Sequence, residues 1–171
     1  MSLNAQQRLA DLRAEFEALV CAPNAPHHSM TVPGNGIYQR WQHPVITAAQ
    51  VSLDGRYDFN PATNPFMMQR MGINATFNAG AMKWRDKYIV VVRVDGDDRK
   101  SFFAIAESAN GVDNFRFWPK PVGRPQTGDP DTKFEDMRLT EHEDGWIYGL
   151  FCTERKDLAQ EDDLSAATAQ C

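Results

Sequence analysis

One pattern recurs in this chain and limits it more than any other: a strand, a tight polar turn, an aromatic residue and a second strand. It runs first from Phe77 to Val94 around Arg85-Asp86, and again from Phe134 to Phe151 around Glu143-Asp144-Gly145 with Trp146 behind the turn. Short alternating runs bounded by such residues mark antiparallel hairpins. Between the two copies, 101–108 reads as a third strand and 115–118 as a fourth after the Asn110-Gly111 turn. Four antiparallel strands in succession make a blade. The two copies lie a little further apart than the roughly 40 to 50 residues of a propeller repeat, and the proline-rich stretch 119–130 absorbs the excess. The expected fold is all-β, a β-propeller. Only two strands of the second blade are recognisable, followed by a polar segment at 157–170. A propeller ring closes with typically four to eight blades, so the chain reads as about two N-terminal blades of a larger protein.

The expected division is an N-terminal helix and loop over 1–35 and blades over 36–171. Residues 4–20 carry Leu9, Leu12, Phe16, Leu19 and Val20 at helical spacing, with Asn4 placed to cap the start. The polar face mixes Arg and Glu, which suits docking against the body or a second subunit better than a membrane surface. A homo-oligomer through this helix is one expectation. Pro23, Pro26 and Pro33 then forbid regular structure, and the adjacent His27 and His28 read as loop residues with no metal role. Short strand candidates follow at 38–41 and 44–47. Trp41, Tyr57, Phe59 and Phe66 lie in this loop-rich part, where aromatics either stack on a sugar or are buried under loops.

Charge and cysteine content exclude several functions. The net charge of −5 and the lack of basic runs argue against nucleic acid. No stretch is long and apolar enough to span a membrane and no signal-peptide pattern opens the chain, so a cytoplasmic protein is expected. Cys21, Cys152 and Cys171 are odd in number and lack metal-like spacing, which predicts free thiols and no zinc site.

Chemistry concentrates in the stretch KFEDMRL at 133–139. Read as a regular strand, Phe134, Asp136 and Arg138 share one face while Glu135 and Met137 take the other. The return strand delivers Arg155 and Lys156 at its far end. Two readings stand side by side: an acid and a cation cluster converging on a small polar or anionic ligand, or a solvated ladder of cross-strand ion pairs.

The runs GINATFNAGA (72–81), RVDGDDRKSFF (93–103), DNFRFW (113–118) and EDGWIYGLFCTERKD (143–157) resemble glycoside hydrolase family 130. They are most similar to its branch acting on β-1,4-mannosyl-glucose. The resemblance implies a five-bladed propeller of roughly twice this length and a glycoside phosphorylase: mannosylglucose plus phosphate gives α-D-mannose 1-phosphate and D-glucose, with inversion. It implies no cofactor, inorganic phosphate as co-substrate and a mannosyl disaccharide as partner. The family's catalytic aspartate sits in a Glu-Asp-Pro/Met-Arg motif, which matches Asp136. There it is thought to pass its proton through the mannosyl 3-hydroxyl. Arg93, Arg99 and Arg155 match arginines that contact phosphate and mannose, and Asn78 matches a polar residue on the floor of the mannosyl site. Arg138 either holds the Asp136 carboxylate or touches ligand; Arg116 and Lys156 read as surface charges. Met137, where much of the family has proline, is shared with the mannosylglucose branch. Phosphate is itself the nucleophile, so no second carboxylate is required to activate water. A related mannooligosaccharide phosphorylase or mannoside hydrolase, and a non-catalytic carbohydrate-binding propeller, are the alternatives.

Overall fold

The structure, a computed structural model, describes residues 3–27, 39–123, 133–154 and 163–169; Leu3, Lys133, Glu154 and 163–169 are described by backbone alone. His28, Pro33, Tyr38, Arg155, Lys156 and Cys171 lie outside the described residues.

Two antiparallel sheets hold the strands. The first runs β1 (Ile73–Trp84), β2 (Lys87–Gly96), β3 (Ser101–Ser108) and β4 (Arg116–Phe117), paired in that order. The second runs β5 (Lys133–Glu141), β6 (Ile147–Glu154) and β7 (Asp163–Ala169). Each is a sequential antiparallel meander, the connectivity of a propeller blade. Strand β7 corrects the reading of 157–170 as merely a polar segment. Its sequence DLSAATA holds a single β-branched residue, Thr168, so intrinsic preference gives almost no strand signal. Pairing along β6, from Ile147 opposite Ala169 to Thr153 opposite Asp163, accompanies it instead.

Strand β2 explains how the two sheets stack. Ile89 to Val94 are all buried, so the strand is covered on both faces and its apolar run is continuous. Val90, Val92 and Val94 meet Ala104, Ala106, Phe115 and Val51 on one face. On the other, Val91 joins Phe103 in a cluster with Phe134, Met137 and Phe151 of the second sheet. Each aliphatic side chain so buried contributes about 1.5–3 kcal/mol. The Phe103, Phe134 and Phe151 rings lie 5.9, 5.6 and 5.2 Å apart in tilted and edge-to-face pairs, which knit the sheets together.

The N-terminal helix, α1, spans Leu3–Val20, so Asn4 lies inside its first turn and not at a cap. Ala5 and Val20 are buried and Leu9, Leu12 and Phe16 half-buried, while Leu19 turns outward. Arg116, expected as a surface charge, clasps α1 at the surface: its two terminal nitrogens each donate to a Glu17 oxygen at 2.5 Å, and Nη2 also reaches the Cys21 Sγ at 3.1 Å. The Arg116 bonds first, and second the Cys21 thiol, which donates to Glu17 Oε1 at 3.3 Å, lower the Glu17 pKa to about 2. The same carboxylate pushes the Cys21 thiol up.

Between α1 and β1 lie a 3₁₀ turn (Ala48–Gln50) and a short helix, α2 (Leu53–Arg56). Among the described residues, 39–41 and 44–47 form no strand; Trp41 makes an isolated bridge to Pro26. Buried Asn64 organises the following loop, donating to the Asp58 and Met68 carbonyls at 2.8 and 2.7 Å and accepting from Met68 N at 2.9 Å. Tyr57 and Phe59 stack on each other at 6.0 Å, Arg13 of α1 lies 5.6 Å from the Phe59 ring centre, and Phe66 is exposed.

Candidate functional site

Period-two alternation fails inside both β1 and β5. In β1 the register to β2 slips between Phe77 and Gly80, and in β5 the register to β6 slips between Glu135 and Arg138. Each slip inserts an extra residue, a β-bulge that bends the strand and redirects a side chain. The inserted turns fall at Asn78 (φ +50°) and Asp136 (φ +58°), both left-handed. Asn and Asp tolerate that conformation better than other non-glycine residues because their short polar chains find local bonds.

The slip overturns the regular alternation expected for 134–138. Phe134 and Met137, expected on opposite faces, are both buried in the inter-sheet cluster. Asp136 is released from the strand's pattern and bonds across to the first sheet, where Asn78 Nδ2 donates to its Oδ1 at 2.7 Å. Among the described residues the other oxygen, Oδ2, takes no hydrogen bond. The sheets nearly touch here: a Cβ on Gly80 would stand 2.3 Å from the Met137 carbonyl oxygen, so only glycine fits. Arg138 Nη1 donates to the Asn78 carbonyl at 3.2 Å and the Met137 carbonyl at 3.1 Å. Among the described residues its hydrogen bonds therefore go to the two bulged backbones and not to the Asp136 carboxylate.

A second polar group lies where the β2 face turned toward the second sheet changes from Val91 to Arg93. Arg93 is 9% exposed, with its guanidinium 4.5 Å from the Phe77 ring centre. Nε and Nη2 donate to Asp95 Oδ1 and Oδ2 at 3.1 and 3.4 Å, while Nη1 meets Glu135 Oε1 at 2.9 Å. Ser101 donates to Asp95 Oδ1 at 2.8 Å. Arg99 is exposed in the β2–β3 turn, left-handed (φ +63°), with its backbone N–H on the Gly96 carbonyl. The structure thus joins Asn78, Asp136 and Arg138 directly, places Arg93 beside them through Glu135, leaves Arg99 on the adjacent turn, and does not describe Arg155. Among the described residues no group of three or more His, Cys, Asp or Glu could hold a metal ion, and no helix is long and apolar enough to cross a membrane.

Sequence reasoning missed Asp95, Ser101, Gly80 and Glu135. A signal existed for the bulges: Asn78 and Asp136 are poor strand formers set inside otherwise good strands.

No family model matches the chain. Over 163 residues it is 56% identical to the 4-O-β-D-mannosyl-D-glucose phosphorylase of Bacteroides fragilis, covering 95% of this chain and 41% of that protein. A solved putative glycoside hydrolase from Bacteroides ovatus superposes with a TM-score of 0.55 at 21% identity, over 88% of this chain and 39% of the other. A further structure comes from work showing that the GH130 family of mannoside phosphorylases contains glycoside hydrolases that target β-1,2 mannosidic linkages in Candida mannan. It superposes with a TM-score of 0.55 at 18% identity, over 88% of this chain and 39% of its own. At those identities the likeness is one of fold. The chain spans about two fifths of the length of these relatives.

Proposed function

We propose that this chain belongs, over the stretch it spans, to glycoside hydrolase family 130 and that it carries the general acid of a mannoside phosphorylase. The reaction read here is inverting phosphorolysis of β-1,4-mannosyl-glucose to α-D-mannose 1-phosphate and D-glucose, in a five-bladed ring of which this stretch supplies two blades. A cytoplasmic location completes the reading.

The observation that carries the proposal is the bulge at Asp136. A left-handed backbone lifts one carboxyl out of a strand whose neighbours Phe134 and Met137 are buried, and the Asn78 amide aims it. One carboxyl oxygen held at 2.7 Å and the other without a partner among the described residues is a usable arrangement for proton transfer. Asp136 gives its proton toward the departing glucose O4, routed in the family through the mannosyl 3-hydroxyl. Phosphate attacks the anomeric carbon from the opposite face, so the β-linkage becomes an α-phosphate. Because phosphate already carries a nucleophilic oxygen, the inverting chemistry proceeds with a single carboxyl. Asn78 forms part of the mannosyl floor. Arg99 and Arg155 are assigned to phosphate and sugar oxygens, which a planar guanidinium fork suits. Arg138 fixes the two bulged backbones.

The test is mannosyl-1,4-glucose with and without phosphate, assayed for mannose 1-phosphate. Phosphate-dependent product is expected, with Asp136→Asn lowering kcat by about 10²–10⁴-fold. Free mannose without phosphate would instead identify a hydrolase, and an unaltered Asp136→Asn variant would remove Asp136 from the reaction.

A further inference from the structure

We propose that Arg93, Asp95 and Glu135 form a positioning network for Asp136, and that Arg93 therefore acts on the reaction through the backbone and not as a phosphate ligand. The inference rests on the role of Asp136 proposed above and goes beyond it by moving one arginine out of the anion site.

Three observations converge. First, the Arg93 guanidinium is occupied: Asp95 takes Nε and Nη2, Glu135 takes Nη1, and the Phe77 ring lies 4.5 Å away. A buried guanidinium already neutralised by two carboxylates has little to offer a further anion, because phosphate would meet their charge as well. Second, the network is anchored at its far end, where the Ser101 hydroxyl holds Asp95 at 2.8 Å. Third, it ends at the right place. Glu135 opposite Cys152 is the last regular pair of β5 before the register slips, and the next residue is Asp136. Holding Glu135 against the first sheet fixes the point from which the bulge departs, while Arg138 fixes its other side through the Asn78 and Met137 carbonyls. Asp136 is thus pinned from both flanks of its own strand, and Asn78 only has to meet a carboxyl already in place. A displacement of about 1 Å at a reacting group lowers a rate by about 100-fold.

The test has two arms. In the protein scored for phosphorolysis above, Glu135→Ala is expected to lower kcat by about 10- to 100-fold while KM for phosphate stays within about twofold. Glu135→Gln keeps an acceptor for Arg93 and is expected to recover most of the rate. The second arm needs no activity: the Asn78 side-chain amide signal in NMR reports the bond to Asp136. It should shift in Glu135→Ala, return in Glu135→Gln, and stay put in Arg116→Ala, a clasp at the helix. A raised phosphate KM with kcat unchanged in Arg93→Lys would make Arg93 a direct ligand and overturn the proposal. So would an unmoved Asn78 signal in Glu135→Ala. Loss of phosphorolysis in the unsubstituted protein, with the NMR pattern as expected, would defeat the functional reading and leave the network standing.

Discussion

Two arginine–glutamate pairs join parts of this molecule that are distant in sequence, and they do so in opposite surroundings. Arg116 clasps Glu17 where α1 meets the first sheet, with side-chain exposures of 41% and 56%. Arg93 meets Glu135 where the two sheets meet, with exposures of 10% and 37%. The outer pair has the shorter contacts, 2.5 Å against 2.9 Å, yet water and salt weaken it and freedom of both side chains opposes it. The inner pair is screened less, and its arginine meets a second carboxylate, Asp95, and the Phe77 ring besides. Contact length alone is thus a poor guide to consequence; what surrounds the pair decides whether breaking it is felt elsewhere.

The largest effect should come from the inner pair. Arg93→Ala leaves Asp95 and the partly exposed Glu135 near the sheet interface without their cation, and a destabilisation of about 3 kcal/mol is expected in denaturant unfolding. A shift no larger than that of Arg116→Ala would erase the distinction between the two junctions. Next comes Gly80→Ala, which tests the closeness of the sheets directly. Its new methyl would press on the Met137 carbonyl, a backbone atom that cannot rotate away, so a loss of about 1–3 kcal/mol is expected together with a shift of the Asn78 amide signal. An alanine tolerated without either change would mean that the bulges are not in tight contact.

How much of this was legible follows the same divide. The regular parts could be read because physical rules of short range govern them. Apolar runs, alternation and turn residues gave β2, β3, β6 and both hairpins, including the turn where Gly145 adopts φ +84°. The helical stripe was found, although Leu19 turns outward and Ala5, not part of that stripe, is buried. The irregular parts were legible only by residue type. Asp136 was singled out by its motif, but its orientation was misread because a one-residue bulge reverses the alternation on which the reading relied. Asp95, Ser101 and Glu135 were unreadable as a group, since nothing local says that β2, β3 and β5 bring them together. β7 escaped because its small residues carry no preference of their own.

The smallest effect sharpens the comparison from the outer side. Glu17 is held down to about 2, chiefly by the Arg116 fork and then by the Cys21 thiol, whereas its ordinary value is 4.5. A carboxylate with a depressed folded-state pKa contributes stability that is present in full above its unfolded value and is lost as pH falls through the folded one. The unfolding midpoints of the unsubstituted chain and Glu17→Gln should therefore differ most above pH 4.5 and converge as pH falls toward about 2. About 1 M salt should shrink the difference at neutral pH, because the pair lies in solvent. The Arg93→Ala difference should survive the same salt, since its carboxylates lie at the packed junction of the sheets. A Glu17→Gln difference that persists in salt would mean that α1 is clasped as firmly as the blades are, and that exposure is not what separates the two pairs.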